Sequence, residues 1–279
     1  MIHQLQYYLS FSFVQYALIV GVLVALCSGL LGVILVLKRF SYIGDGLSHI
    51  AFGAMTIGMT LNMIDDMLIT MPITILIAIV LIKDEQKRKI TSDTALAMLS
   101  VGSLAFGYLL VNITGSSSNI AGDICSALFG ATSILTLSQA DVYTSIIMSI
   151  LVILIFVLFY NRIFAVTFDE AFAKATGVNT DRYNLLIAII TAIVIVIAMN
   201  LVGALLVSAL IIFPATSAMA IFHQFKNVII LSALLSVINA TAGILISILF
   251  STPVGATIVL ANVITFMICK ILSVVIRRG

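Results

Sequence analysis

The chain has 279 residues, 62% hydrophobic and only 9% charged, whereas a soluble domain is about half apolar and a quarter charged. A mean hydropathy of +1.29 calls for lipid as the solvent. A net charge of +2 excludes the strongly basic surface that nucleic-acid binding requires.

Taken in chain order, the apolar segments are Phe13–Leu37, Tyr42–Leu61, Met67–Ile82, Thr94–Ile113, Asp141–Tyr160, Tyr183–Met199, Val202–Phe222, Val228–Phe250 and Ala256–Ile276. A span needs about 20 apolar residues. The expectation is an all-α, polytopic transmembrane protein of about nine spans, or eight if the sixth and seventh are one broken element. The first segment reads as a retained helix, not a cleaved signal peptide, because many others follow it. Ile120–Thr136 is apolar but short and contains Asp123, which points to a re-entrant or surface helix. Residues 1–279 read as one transmembrane domain without repeats.

Positive charge orients this topology. With the N-terminus outside and the C-terminus in the cytoplasm, the inner side receives Lys38, Arg39, Lys83, Lys87, Arg88, Lys89, Arg162, Lys174, Arg182, Lys226, Lys270, Arg277 and Arg278, all 13 basic residues. The outer side keeps Asp65, Asp66, Asp123 and Asp141. Adding or losing a middle span would scatter the cations.

Few residues carry chemistry. Asp45 and His49 stand four apart at the start of the second span and share one helix face. A carboxylate with an imidazole suits zinc or manganese. Each alone has a plainer role: Asp45 at a helix N-terminus, His49 in a helix-packing hydrogen bond. On the longest inner loop, Thr167-Phe168-Asp169-Glu170 reads as a capping box, with Thr167 as N-cap. The short helix that follows ends at Gly177, and Phe168, Phe172 and Ala175 make a narrow apolar face for membrane or partner. Pro214 removes a backbone hydrogen bond within the seventh span. Pro253 with Gly255 reads as an outer turn. Met55, Met59, Met63, Met67 and Met71 recur every four residues. Thioethers suit Cu(I), but the stripe runs through a loop, and Met commonly fills irregular packing. Cys27, Cys125 and Cys269 form no Cys-x-x-Cys pair and read as packing residues. There is no Gly-x4-Gly-Lys-Ser/Thr phosphate loop, so the chain is not expected to hydrolyse ATP itself.

At these motifs the chain resembles a known family. Leu37-Lys38-Arg39-Phe40-Ser41-Tyr42-Ile43-Gly44-Asp45-Gly46-Leu47-Ser48-His49 is similar to the signature of the zinc/manganese permeases of ABC importers, the ABC-3 type. Ser92-Asp93-Thr94-Ala95 resembles their fourth-span entry, and Leu205–Thr216, around Pro214, their late-span motif. Phe168–Arg182 is similar to the inner loop of the wider group of cobalamin and iron-siderophore permeases, whose fold is therefore expected. Pro253-Val254-Gly255 has its counterpart there. The resemblance runs in order from about Val20 to the C-terminus.

It implies a multi-pass permease of a prokaryotic cell membrane that binds no permanent cofactor and passes Zn²⁺, or next Mn²⁺, inward. The implied partners are a cytoplasmic ABC ATPase, an extracellular metal-binding lipoprotein, a second copy of the chain and the lipid itself. It further implies that Asp45 and His49 lie on the metal path. Phe168, Asp169, Glu170, Phe172 and Gly177 would form the ATPase coupling loop. Ser208, Pro214 and Thr216 would line or gate the path. Gly46 and Ile50-Ala51-Phe52-Gly53 look more like the zinc members, although Ala51 stands where those often have Ser. The rivals are a self-powered secondary metal-ion carrier, which needs coupling-ion sites at mid-membrane, and a non-transport scaffold or sensor, which needs no path.

Overall fold

The computed structural model describes residues 7, 10–61, 67–84, 92–114, 128, 130, 139–204 and 206–278. Eleven helices run through these residues: α1 (Ser12–Leu37), α2 (Ser41–Thr60), α3 (Met67–Asp84), α4 (Ser92–Thr114), α5 (Gln139–Leu158), α6 (Tyr160–Phe168), α7 (Glu170–Ala175), α8 (Thr180–Val202), α9 (Val207–Ile221), α10 (Phe225–Phe250) and α11 (Val254–Arg278). Helices are what lipid permits, because each backbone N–H and C=O is then bonded within its own segment.

Each of the nine apolar segments coincides with a helix, shifted by a few residues at its ends. Six helical stretches are long and apolar enough to cross a membrane: Ser12–Leu37, Thr94–Thr114, Gln139–Leu158, Thr180–Val202, Phe225–Phe250 and Val254–Val275. The chain is therefore a multi-pass membrane protein. Met67–Leu81 and Val207–Ile221 are apolar but shorter. Helix α2 is not among these six stretches, and Asp45, His49 and several glycines lie within it. The Ile120–Thr136 segment falls outside the described residues except for Leu128 and Gly130, as do Met63, Asp65, Asp66 and Cys125.

The expected sixth and seventh spans are two helices, and their junction differs from expectation. Val202 closes α8 instead of opening the next helix. Gly203 follows at φ +89°, and α9 begins only at Val207. Gly203 is required there twice over. Its φ disfavours a side chain, and an added Cβ would meet the Gly130 nitrogen at 2.4 Å.

Helices α1 and α8 form the interior, with 67% and 78% of their apolar windows buried, against 17% for α4 and α11. Between helices in lipid there is no hydrophobic gain, so close contact depends on small residues and hydrogen bonds. Gly29 of α1 lies against the backbone of Ser232 and Ala233 in α10, and Ser232 Oγ donates to the Gly29 carbonyl at 2.7 Å. Gly32, one turn on, meets α9: a Cβ there would lie 2.1 Å from the Ile211 carbonyl oxygen. Between α10 and α11, Asn239 Nδ2 donates to Asn262 Oδ1 at 2.9 Å, and Thr265 Oγ1 donates to Asn239 Oδ1 at 2.8 Å. Buried hydroxyls such as Thr74 and Thr191 donate to carbonyls one turn back in their own helices.

The methionine stripe divides. Met55 and Met67 are buried, and Met59 faces outward. The stripe is split between α2 and α3, and its members differ in exposure, so it is not one continuous face.

The α1–α9 contact yields a prediction. Gly32→Val should lower stability by roughly 1–3 kcal/mol, since the opposing group is backbone and yields only by moving a helix. Gly102→Ala should be neutral, because nothing lies within 4 Å of its added Cβ. Thermal melting of the detergent-purified protein measures both; equal melting points would contradict the close α1–α9 approach.

Candidate functional site

The site begins with the corner that launches α2. Helix α1 ends in a Schellman motif: the Arg39 N–H donates to Val36 O at 3.1 Å, and the Phe40 N–H to Leu35 O at 2.8 Å. Arg39 takes the left-handed conformation at φ 61°, where glycine is usual. The chain reverses there, and α2 starts at Ser41.

Asp45 and His49 then fall on adjacent turns of α2. His49 Nε2 stands 3.7 Å from Asp45 Oδ1. Asp45 is half exposed, while His49 is largely enclosed, and among the described residues its Nδ1 has no hydrogen-bond partner. An enclosed imidazole nitrogen without a partner is costly as structure alone. Glycines flank the carboxylate. An added Cβ on Gly46 would meet Leu96 of α4 at 2.5 Å, and one on Gly44 would reach Ser208 of α9 at 3.6 Å. Asp45 thus sits where α2 passes closely between α4 and α9. Among the described residues no group of three or more His, Cys, Asp or Glu side chains gathers. Asp45 and His49 are thus two side chains of metal-ligating type brought together on one helix.

Of the three α9 residues singled out from sequence, the structure brings Ser208 beside the α2 glycine that precedes Asp45. Pro214 is buried within α9. Thr216 Oγ1 donates within its own helix, to Ile212 O at 2.9 Å.

The inner-loop residues form a second cluster. Helix α6 ends at Phe168, and the N-cap of α7 is Asp169, whose Oδ1 accepts from the Phe172 N–H at 2.8 Å. The expected capping box is therefore two residues out of register. Thr167 belongs to α6, and its hydroxyl donates to Ile163 O at 2.7 Å. Gly177 takes φ 84°, as a residue closing this helix should. Phe168 and Phe172 are both exposed, 57% and 65%, and Ala175 is exposed with them. Phe168 also packs its ring against Phe164 at 4.8 Å and Phe225 at 5.7 Å, and Ala173 is buried with Val166 and Val178. Glu170 turns back toward the bundle, to Asn184 and Lys38. Lys38 and Asn184 escaped the sequence reading. Lys38 counted there as a basic charge and as one residue of the Leu37–His49 motif, with no partner assigned, and its partners lie far along the chain.

Comparison with known proteins was made on this footing. A profile described as the ABC 3 transport family matches residues 10–273. The manganese import system permease protein ScaB of Streptococcus gordonii is 30% identical over 258 residues, covering 92% of this chain and 90% of that protein. The high-affinity zinc uptake system membrane protein ZnuB of Buchnera aphidicola (from Acyrthosiphon pisum) is 32% identical over 253 residues, covering 90% and 94%. The solved structure of PsaBC from Streptococcus pneumoniae in complex with Fab superimposes with a TM-score of 0.85 at 28% identity, covering 96% of this chain and 95% of that one.

The cap of α7 can be tested directly. Asp169→Ala should cost the short helix about 1 kcal/mol. Hydrogen exchange at residues 171–174 should then quicken about fivefold. Unchanged exchange would mean that Asp169 does not hold this helix.

Proposed function

The chain belongs to the ABC 3 transport family, and from that premise we propose that it is the permease of an ATP-driven importer of divalent metal ions, zinc first and manganese second. The observation that carries the reading is the Asp45–His49 pair, 3.7 Å apart on a membrane helix, with one imidazole nitrogen unpartnered. Relatives named for manganese and for zinc resemble the chain about equally. The preference for zinc therefore rests on Gly46 and Ile50-Ala51-Phe52-Gly53.

In this reading all nine apolar helices cross the bilayer, α2, α3 and α9 included. The N-terminus lies outside and the C-terminus in the cytoplasm. An extracellular binding lipoprotein delivers the ion. The Asp45 carboxylate attracts it, and His49 supplies a nitrogen ligand. Two ligands from one chain are too few to trap a divalent ion, and a transported ion must leave again. A second copy of the chain completes the membrane unit. Ser208, next to the glycine before Asp45, lies along the path, and α9 around Pro214 and Thr216 gates it. A separate cytoplasmic ATPase docks on α7, with Phe172 as its apolar anchor. Reconstituting the permease with its ATPase and binding protein in vesicles, and measuring uptake over a panel of divalent ions, tests the reading. Zinc should be accumulated with ATP. Absence of ATP-dependent uptake of any divalent ion would defeat it.

Two substitution sets follow. Asp45→Asn keeps size but removes the charge, and His49→Ala removes the nitrogen. Each should lower uptake by tens of fold, on the order of 2 kcal/mol in ion affinity, with normal membrane insertion. Wild-type uptake per inserted molecule in both variants would remove Asp45 and His49 from the path. Phe172→Asp should separate ATP hydrolysis from uptake by placing a charge in an apolar contact. Unchanged uptake and normal co-purification with the ATPase would contradict docking at α7.

A further inference from the structure

Lys38 is a lysine with 8% of its side chain exposed, at the C-terminal end of α1. A buried ammonium is retained only when its donors are matched. Here Lys38 Nζ donates to Asn184 Oδ1 of α8 and stands 3.6 Å from Glu170 Oε2 of α7. Asn184 Nδ2 donates in turn to Glu170 Oε1 at 2.9 Å. The three side chains close a ring. The amide bridges the two charges, its oxygen toward the cation and its nitrogen toward the carboxylate.

The ring ties the end of α1 to two consecutive elements more than a hundred residues on, α7 and α8. Glu170 is the first residue of α7. Lys38 is the C-cap of α1 and belongs to the Schellman corner that launches α2. Asp45 lies within two turns of that corner. A displacement of α7 therefore reaches the start of the Asp45–His49 helix through the side chains of the ring and the short backbone from Lys38 to Ser41. Beside the ring lies a cavity of about 550 Å³, bordered also by Ile43 and Leu47 of α2 and Leu81 of α3. Open volume of this size leaves the ring free to shift without compressing a packed core.

We propose that Lys38 is a positioning residue that couples α7 to α2, so that movement imposed on α7 is delivered to the ion-binding helix. This rests on the permease reading above. Lys38 touches neither the ion nor the ATPase; it acts through Glu170 and Asn184.

Two arms test the tie. In the purified full-length permease in lipid nanodiscs, spin labels at Lys174 of α7 and Tyr42 of α2, both exposed, report the separation of the two helices. The native cysteines are replaced for this arm. The parent should give a narrow distance distribution, Lys38→Met a broad one, and Lys38→Arg, which keeps a charged donor, a narrow one again. In the reconstituted transporter, ions imported per ATP hydrolysed should fall about tenfold in Lys38→Met, with hydrolysis retained. The double variant Lys38→Met with Glu170→Gln should stay uncoupled although its charges are balanced again. Recovery of coupling in that double variant would mean that the ring only neutralises a buried charge, and the proposal would fail. An unchanged distance distribution or an unchanged ion-to-ATP ratio in Lys38→Met overturns it equally. Should Lys38→Met not insert, Asn184→Ala opens the same ring without removing a charge and carries the same expectations. If the wild-type complex imports no metal ion, the permease reading fails, and the distance arm still decides whether Lys38 holds the two helices together.

Discussion

Lipid offers no hydrogen-bond partner, and nearly everything in this structure follows from that. Backbone groups are satisfied inside helices. Many buried hydroxyls turn back onto their own helices, as at Thr74 and Thr191, and Ser232 reaches a neighbouring helix. Amides pair across helices, as at Asn239 and Asn262. Among the described residues three buried side-chain atoms have no partner, Ser28 Oγ, Ser236 Oγ and His49 Nδ1, and of these the imidazole nitrogen is the one suited to a metal ion. A group left unsatisfied in this environment needs a reason, and a passing cation supplies one.

The same constraint explains why the architecture was largely legible from sequence. A 62% hydrophobic chain has few charges, so each apolar run and each charged gap shows clearly. The helices fall where hydropathy placed them. Asp45 and His49 were legible because an i, i+4 pair needs no tertiary information. The α7 cap was misread because Thr167 and Asp169 are both good N-caps, and sequence could not tell that α6 would run on to Phe168. The bonds at Lys38 were not legible at all. Its partners Asn184 and Glu170 lie more than a hundred residues away, and the bonds exist only once α1, α7 and α8 have packed. The Gly32–Ile211 contact was hidden for the same reason.

The structure divides the labour along the chain. α1 and α8 are the enclosed supports. α2 carries the Asp45–His49 pair, and glycines at 44 and 46 let it run close to α9 and α4. α6 and α7 present the exposed rings of Phe168 and Phe172, and Phe168 also contacts Phe225. The ring of Lys38, Asn184 and Glu170 ties α7 and α8 to the corner from which α2 starts. The two-ligand character of the pair fits a carrier better than a store, because release is half of the task.

The central claim is that His49 touches the transported ion. X-ray absorption at the zinc edge, on the assembled transporter loaded through its binding protein and arrested with a non-hydrolysable ATP analogue, tests it most directly. The account predicts outer-shell scattering from imidazole carbons, present in the wild type and lost in His49→Ala. A spectrum with no imidazole contribution, or one unchanged by that substitution, would contradict it.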